Sequence, residues 1–358
     1  MTTGVRDLRH IEISFQDTVV PPAAGWDTCQ VAMTDRLLGT CGMKKVIDRV
    51  FPTEATGLMS DHIINRYYDK SVLAELPIST GDEGLTFMQL PWYLNMGAVG
   101  VLAGAGGLWT FAPTLTAADV PYPATIRYGD NVTPAWESCC CFARQLVISG
   151  AFQGPWNMEA DIVGRDMVEH AFESPLLPYP TTTAGAPLET ILGQMTVLNQ
   201  DTTCAFAAPG KIDGYLIDWR LTIPGFHAKF FQDGRLDFSI MGLASRHLTF
   251  EATVEWDSVF AATEHAIWAT SHMVTPVSAP RYFQLVATGG TPVAIPPAAA
   301  KDVTINMVLM YESFETLEER DGNDIIKFTA RTAYDVACAV ANVAEWEIIV
   351  NNTEITLP

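Results

Sequence analysis

The residues best suited to chemistry in this chain are an acidic turn, a run of cysteines and scattered histidines. The segment 319–324, ERDGND, offers carboxylates of the kind that bind Ca²⁺. It lacks, however, the glycine at the sixth position and the distal glutamate of a calcium-binding helical hand. Because Asp-Gly between two strand-like runs favours a tight turn, the segment predicts a hairpin turn rather than a metal site.

The other reactive side chains show no site spacing. Cys139, Cys140 and Cys141 are consecutive, and because side chains in a strand alternate between faces, the three cannot bind one ion. His265 and His272 can share a helix face, but no third ligand is near them in sequence. No GxSxG or HExxH motif is present. We therefore expect no catalytic, cofactor-binding or metal-binding residue and no enzyme activity, while a Ser/His/Asp set assembled from distant positions stays an open alternative.

Composition narrows the class of protein further. The 358 residues are 48% hydrophobic and 17% charged, which is enough apolar material for two cores. The formal net charge is −20, so phosphate-contacting DNA or RNA binding is not expected. The N-terminal segment has no apolar signal-peptide core, and no apolar run is long enough to cross a bilayer. We expect a soluble protein made in a cytoplasm, with no membrane partner.

The elements that would position these residues occur twice in the same order. Residues 71–165 predict strand, helix, strand, strand and strand, with the helix over 85–97 and Pro91 as a kink or break within it. Residues 246–335 predict the same order, with the helix following the regular alternation of 247–256. The chain is therefore predicted to be mainly β, with two copies of a β module that each carry one helix.

Boundaries follow from composition. We predict a first module over 1–173, with a long irregular loop at 16–68 that serves an interface. A proline-rich linker follows at 174–189, because its prolines and small residues resist both helix and central strand. The second module is predicted over 190–358. A duplicated β module without a catalytic motif favours a building block over an enzyme.

Several segments, in order along the chain, resemble the large two-module major tail tube proteins of long-tailed, siphovirus-like bacteriophages. They include LRHIEISF, VFPTEATGLMSDH, LTFMQLPWYLNMG and ATIRYGDN, then CFARQLVISGAFQGPWNMEADIVGRD in the first half. The second half adds KFFQDGRLDFSIMG, LTFEATVEW, YESFETLEERDGNDIIKFTARTAYD and WEIIVNNTEITLP. Each motif is short, and the order of the whole set carries the resemblance.

The resemblance implies a fold and a role. The fold would be two tandem β-sandwich or barrel-like tail tube modules, each with one flanking α-helix. Edge strands would pair between subunits, so that three chains form a ring with pseudo-sixfold symmetry and rings stack into a hollow tube. The partners implied are other copies of the chain, the tape measure protein, the tail terminator and distal tail proteins, and viral DNA passing through without sequence-specific binding. The location implied is the tail of the virion, after assembly in the host cytoplasm.

Two further expectations concern particular residues. Asp161 and Glu251 are predicted to lie on strands that face the lumen of such a tube, where carboxylates would repel DNA. The alternative function is a β-sandwich that binds carbohydrate or a receptor on a virion or cell surface. Its aromatic platforms would be Trp26, Trp109 and Trp136, for which burial in the core or an interface is the other interpretation.

Overall fold

A computed structural model gives the architecture of the chain. It describes residues 10–15, 32–51, 67–97, 108–113, 122–129, 135–172, 189–201, 204, 206, 210–211, 216–231, 234, 236–243, 245, 247–257, 264–271, 280–289, 301–335, 338 and 345–352. In this part of the chain the protein is mainly β, as predicted, and its strand pairings are antiparallel.

The strands of the first half are β1 (His10–Phe15), β2 (Asp35–Leu37), β3 (Thr40–Cys41), β4 (Lys44–Val50), β5 (Tyr68–Ser79), β6 (Leu108–Phe111), β7 (Ala124–Gly129), β8 (Ala135–Ala151), β9 (Asn157–Gly164) and β10 (Val168–His170). Those of the second half are β11 (Thr196–Asp201), β12 (Gly210–Lys211), β13 (Leu216–Pro224), β14 (Phe226–Lys229), β15 (Ile240–Leu243), β16 (Thr249–Glu255), β17 (Arg281–Thr288), β18 (Asp302–Phe314), β19 (Glu318–Arg320), β20 (Asn323–Thr332) and β21 (Trp346–Asn351). The helices are α1 (Leu90–Gly97) and α2 (Ala266–Ser271).

One antiparallel sheet runs from the first half of the chain into the second. Its strands follow the order β4–β5–β9–β8–β13–β16–β20–β18, which we call the main sheet. The crossing between halves is the pairing of β8 with β13, in which 218–224 lies against 145–151. Apart from β4, apolar side chains alternate along these strands, so one face of the main sheet covers the core.

A second layer covers the core from the other side. In the first half its order is β2–β1–β7–β8–β10, and in the second half it is β12–β11–β17–β18–β21, to which β6 adds. Strands β8 and β18 therefore belong to both layers. In β8 the pairing slips near Cys140, which has a φ of 52°, and again between Ala143 and Gln145. Such bulges bend a strand, which is how it passes from one layer to the other.

The same strand pairings occur in both halves. Six strand pairings of the first half each have a counterpart in the second half. The strands that form these counterparts follow one another along the chain in the same order as in the first half. The corresponding pairings are β4–β5 with β13–β16, β5–β9 with β16–β20, β9–β8 with β20–β18, β7–β8 with β17–β18, β1–β7 with β11–β17, and β8–β10 with β18–β21. The repeated order read from the sequence is thus matched by repeated pairing.

An apolar cluster packs beside the crossing between the halves. The hairpin of β14 and β15 follows β13 and packs on β8 and β9 of the first half. Phe238, fully buried, meets Phe142 edge to face with 5.3 Å between ring centroids, and Phe226 and Val163 complete the contact. At the border of the cluster, Arg165 pairs with Asp237. The halves are therefore joined by side-chain packing as well as by main-chain hydrogen bonds.

The helices differ from the sequence-based expectation in where they begin. Helix α1 starts at Leu90, later than predicted, and Pro91 stands in its first turn, where a missing N–H breaks no helical bond. Pro91 therefore neither kinks nor splits the helix. Gly97 ends the helix against β8, since a Cβ at this position would come within 2.7 Å of the Ala143 Cβ. Helix α2, in the second half, covers only part of the predicted helix 257–273, of which 258–263 and 272–273 lie outside the described residues.

The loop predicted over 16–68 is wrong for its middle part. Residues 35–37, 40–41 and 44–50 are strands, and β5 already begins at Tyr68. The prediction failed because β4, KKVIDRV, is polar and exposed on both faces and so has no apolar alternation. Residues 16–31 and 52–66 of this segment, and 174–188 of the predicted linker, lie outside the described residues.

One turn prediction is confirmed. Asp321 and Gly322 both have positive φ, 53° and 84°, and close the hairpin of β19 and β20. This is the geometry for which Asp-Gly is favoured. Of the turn predicted at 232–234, only Gly234 is among the described residues, with a φ of 83° between the paired strands β14 and β15, and 232 and 233 lie outside them.

We predict that the aromatic contact at the crossing stabilises the whole chain. Replacing Phe238 by alanine should lower the free energy of unfolding by about 3 to 5 kcal/mol, because a fully buried ring is removed from a packed cluster. Chemical denaturation measures this. Phe231→Ala, an exposed residue in the same hairpin connection, is the matched control and should change stability by no more than about 0.5 kcal/mol. Equal effects of the two substitutions would contradict the packing described.

Candidate functional site

The face of the main sheet turned away from the core is polar and carries the residues predicted to be functional. On β13 the alternation is clear, because Trp219 and Leu221 are buried whereas Asp218 and Arg220 point to the opposite face. We call this opposite face the polar face. It continues across the crossing between the halves, since Arg220 lies opposite Ser149 of β8 on one side and Glu251 of β16 on the other.

Asp161 lies on this polar face, on β9. Its side chain is 44% exposed and accepts two hydrogen bonds from Arg144, at 3.0 Å from Nε and 2.9 Å from Nη2. Arg144 also lies 3.6 Å from Glu75. The hydrogen bond to Asp161 is the main cause that raises the pKa of Arg144 above its ordinary value. The negative charge of Asp161 is therefore balanced by the positive charge of Arg144.

Glu251 lies on the same face, on β16. Its Oε2 is 3.3 Å from Nζ of Lys327, and Lys327 is also 3.7 Å from Glu315. Burial by itself would lower the pKa of Lys327, but its hydrogen bonds and ion pairs with Glu251 and Glu315 outweigh burial and raise it. The structure thus brings the two sequence-predicted acids to one face, and it pairs each with a cation that the sequence analysis did not identify.

A groove of about 580 Å³ runs over part of the polar face. It is lined by strands of both halves, and its lining includes Cys41, Gln145, Glu159, Asp161 and Arg220. Arg220 and Glu159 are 3.9 Å apart across the crossing. The charged residues of this lining are thus two acids, Glu159 and Asp161, and one cation, Arg220.

The two ends of the main sheet are edges in the described part of the chain. At one end, β4 pairs with β5 alone. At the other end, residues 310–314 of β18 pair with β20 alone. Both edges are solvent-exposed, with side chains of Lys44 and Glu315 exposed by 62% and 52%. Open edges present unpaired main-chain groups that favour association with another strand.

The edges carry opposite charge. Strand β4 has Lys44, Lys45 and Arg49 against one acid, Asp48, and the end of β18 leads into Glu312 and Glu315. Strand β4 has no apolar alternation, so its sequence pattern did not predict a strand. The signal that could have found it is the lysine-rich, proline-free run itself, since lysines are typical of edge strands.

A row of buried charges crosses the second layer of the first half. Glu12 on β1, Arg127 on β7 and Glu137 on β8 lie opposite one another. None is more than 4% exposed. Arg127 Nε donates to Glu137 Oε2 at 2.5 Å, and Arg127 Nη1 is 3.8 Å from Glu12 Oε2. One guanidinium thus bridges two carboxylates.

The corresponding row of the second half is neutral for most of its length. Asn199 on β11 donates to Gln284 on β17 at 3.3 Å, Gln284 donates to Asn306 on β18 at 2.9 Å, and Asn306 donates to Glu347 on β21 at 3.1 Å. Burial raises the pKa of Glu347, and the hydrogen bond from Asn306 only partly opposes this. The two halves therefore have buried polar side chains at corresponding positions, in addition to the repeated strand pairing.

The three tryptophans proposed as platforms for a carbohydrate fall in different environments. Trp109 is 4% exposed, and its indole nitrogen donates to Asn352 at 3.2 Å, so it is a core residue. Trp136 is 37% exposed on β8, opposite Tyr128. Trp26 lies outside the described residues.

Two other kinds of feature, a metal site and a membrane-spanning helix, are absent from the described residues. Within the described residues, no three His, Cys, Asp or Glu side chains are grouped so as to hold a metal ion. In the same part of the chain no helix has the length and apolar character needed to span a membrane.

Comparison with known proteins gives no assignment. No family model matches this sequence. A search of curated proteins likewise finds no match.

We predict an acid-sensitive contribution from Glu75, which is 2.8 Å from Lys44 of the edge strand. The hydrogen bond from Lys44 is the main cause that lowers the pKa of Glu75, and Arg144 adds to it. A lowered pKa stabilises the fold above the unfolded pKa of about 4.3, and this contribution is lost as the pH falls through the folded pKa. Glu75→Gln should therefore lower the free energy of unfolding at pH 7 by up to about 1 kcal/mol.

Urea denaturation from pH 7 to pH 3, at fixed protein concentration, measures the effect. The difference between Glu75→Gln and the unmodified protein should shrink as the pH falls below about 4.3. Glu83→Gln is the control, because Glu83 is exposed and forms no ion pair with the described residues. A pH-independent difference for Glu75→Gln would contradict the ion-pair explanation.

Proposed function

We propose that this protein is the building block of a bacteriophage tail tube, a structural virion protein that assembles into stacked rings. The observation that carries the proposal is the pairing of β8 with β13, which joins two halves of equal strand pairing into one sheet. A chain that already joins two like units edge to edge has the means to add further units in the same way.

The repeated pairing supports two tandem modules in each chain. Six pairings recur in the same chain order, β8 and β18 pass between the layers in the same way, and α1 and α2 precede β7 and β17 respectively. A duplicated unit explains why these features coincide. The modules are of the β-sandwich type with one helix each, as the resemblance to tail tube proteins implies.

Open edges at both ends of the main sheet support ring formation. A head-to-tail contact between two different edges yields a closed ring if the rotation closes and a filament if it does not. Ring closure would leave no edge strand of the main sheet unpaired. With two modules in each chain, three chains would give six similar positions, and the rings would stack into a tube.

The polar face suits the wall of a channel for DNA. Two cations of this face, Arg144 and Lys327, are held by carboxylates, so neither is free to bind a phosphate. Phosphate contacts are what make a protein adhere to DNA without regard to sequence. In this proposal Asp161 and Glu251 face the lumen, where the tape measure protein and then the genome pass, and the tail terminator and distal tail proteins meet the ends of the tube. The protein is assembled in the host cytoplasm and resides in the virion tail.

Electron microscopy of the purified protein tests this function. We expect rings or tubes with a central channel, and threefold symmetry with an approximate sixfold repeat in class averages. Mass photometry at low concentration should show the three-chain species or its dissociation products. A protein that stays monomeric at high concentration, and forms no ordered polymer in the virion, would rule the function out.

A further inference from the structure

The crossing between the two halves predicts how one copy of this chain contacts the next. We infer that β3 and β4 of one copy pair with the end of β18 of a second copy, in the register of the internal β13–β8 pairing. This inference rests on the proposed function, because it describes the contact that would join chains in a ring. The partner is a second copy of this chain, and the following steps fix which residues meet.

The register of the two halves can be compared strand by strand. In each half, one residue from each of four adjacent strands lies in a transverse row on the core side of the main sheet. The rows are Cys41, Ile78, Ala160 and Leu146 in the first half, and Trp219, Ala252, Phe328 and Phe314 in the second half. Strands β3 and β4 together therefore correspond to β13, and the end of β18 corresponds to the end of β8.

The pairing of β8 with β13 within one copy then gives the pairing register between two copies. Leu146 lies opposite Ile223, which is four residues after Trp219 on the same strand. The residue four after Cys41 is Lys45, so Lys45 of one copy is placed opposite Phe314 of the next. Because the strands are antiparallel, Lys44 falls opposite Glu315 and Val46 falls opposite Ser313.

Two observations support this register independently. The first is that Glu315 keeps the strand geometry beyond β18, since its N–H donates to the Lys327 carbonyl at 2.8 Å, as expected of a residue that corresponds to Val147. The second is charge, because the register places a lysine directly opposite a glutamate, and opposite charges facing each other across strands are stabilising. The register was obtained from strand pairing alone, so the opposite charges of Lys44 and Glu315 support it separately.

The internal crossing also shows where the similarity ends. After Pro224 the chain leaves the main sheet at Gly225, where a Cβ would come within 2.1 Å of the Ala143 carbonyl oxygen. The corresponding position in the first half is Ile47, and β4 continues there as a strand to Val50. The proposed contact therefore covers 40–46 and does not extend along the rest of β4.

Cysteine pairs test the register. Residues directly opposite in an antiparallel pair have Cα atoms about 4.5 to 5.5 Å apart, within the range for a disulfide, whereas a diagonal pair is about 7 to 8 Å apart. We expect the matched variant Lys44→Cys with Glu315→Cys to give disulfide-linked dimer and trimer on mild oxidation. The offset variant Lys44→Cys with Ser313→Cys should give little. Non-reducing electrophoresis measures both, and each single variant sets the background from native cysteines.

Linkage within one copy is distinguishable from linkage between copies. Strand β4 and β18 stand at opposite ends of the main sheet, separated by seven inter-strand spacings of about 4.8 Å each. A bond between copies produces species of two and three chain masses, whereas a bond within one copy leaves a single chain mass. Circular dichroism of the reduced variants checks that each is folded before oxidation.

The outcomes separate the inference from the proposed function. Linked trimer in the matched variant alone supports both. Rings in the microscope with no link in the matched variant, or with a link in the offset variant instead, overturn the register and leave the tail tube function in place. If neither rings nor disulfide links form, both the proposed register and the tail tube function are wrong. That result would indicate that Lys44 and Lys45 keep β4 from pairing, as lysines do at protected edges.

Discussion

The structure depends on the requirement that main-chain N–H and C=O groups in a sheet find partners. The pairing of β8 with β13 meets this requirement between the two halves, and it turns two separate four-strand groups into one sheet. The crossing brings the hairpin with Phe238 against Phe142 and continues the polar face from one half into the other, and β4 and the end of β18 are the edges that it leaves in the described part of the main sheet. Without it, β13 and the end of β8 would be two further edges.

Bulges make this arrangement possible for a single chain. In β8 the register slips beside Arg144, and in β18 it slips beside Glu312, the corresponding position. A bulge bends a strand and increases its twist, so one long strand can contribute to two layers. Strand β18 therefore pairs on both sides within the second layer and also presents an edge of the main sheet. The packing of the core and the pairing of the main sheet are coupled through β8 and β18 for this reason.

Local pattern in the sequence was sufficient where one face of an element is buried and the other is not. Strand β16 alternates without exception, and the Asp321–Gly322 turn has the two residues that its backbone needs, so both were predicted. Strand β4 was missed because both of its faces are exposed and its strand conformation depends on pairing with β5, which is a tertiary contact. The positions of Asp161 and Glu251 on one face follow from alternation, but their partners Arg144 and Lys327 depend on a bulge and on strand order, which one sequence does not display.

The two polar rows indicate what the repeated strand pairing constrains. Glu12, Arg127 and Glu137 occupy the register positions of Asn199, Gln284 and Asn306, so the geometry is the same while the chemistry differs. A buried ion pair loses much of its Coulomb energy to desolvation, whereas a chain of amides satisfies its hydrogen bonds without charge. Either solution fills the same space between the same strands. The pairing register, rather than the identity of the side chains, is thus the property that the second layers of the two halves share.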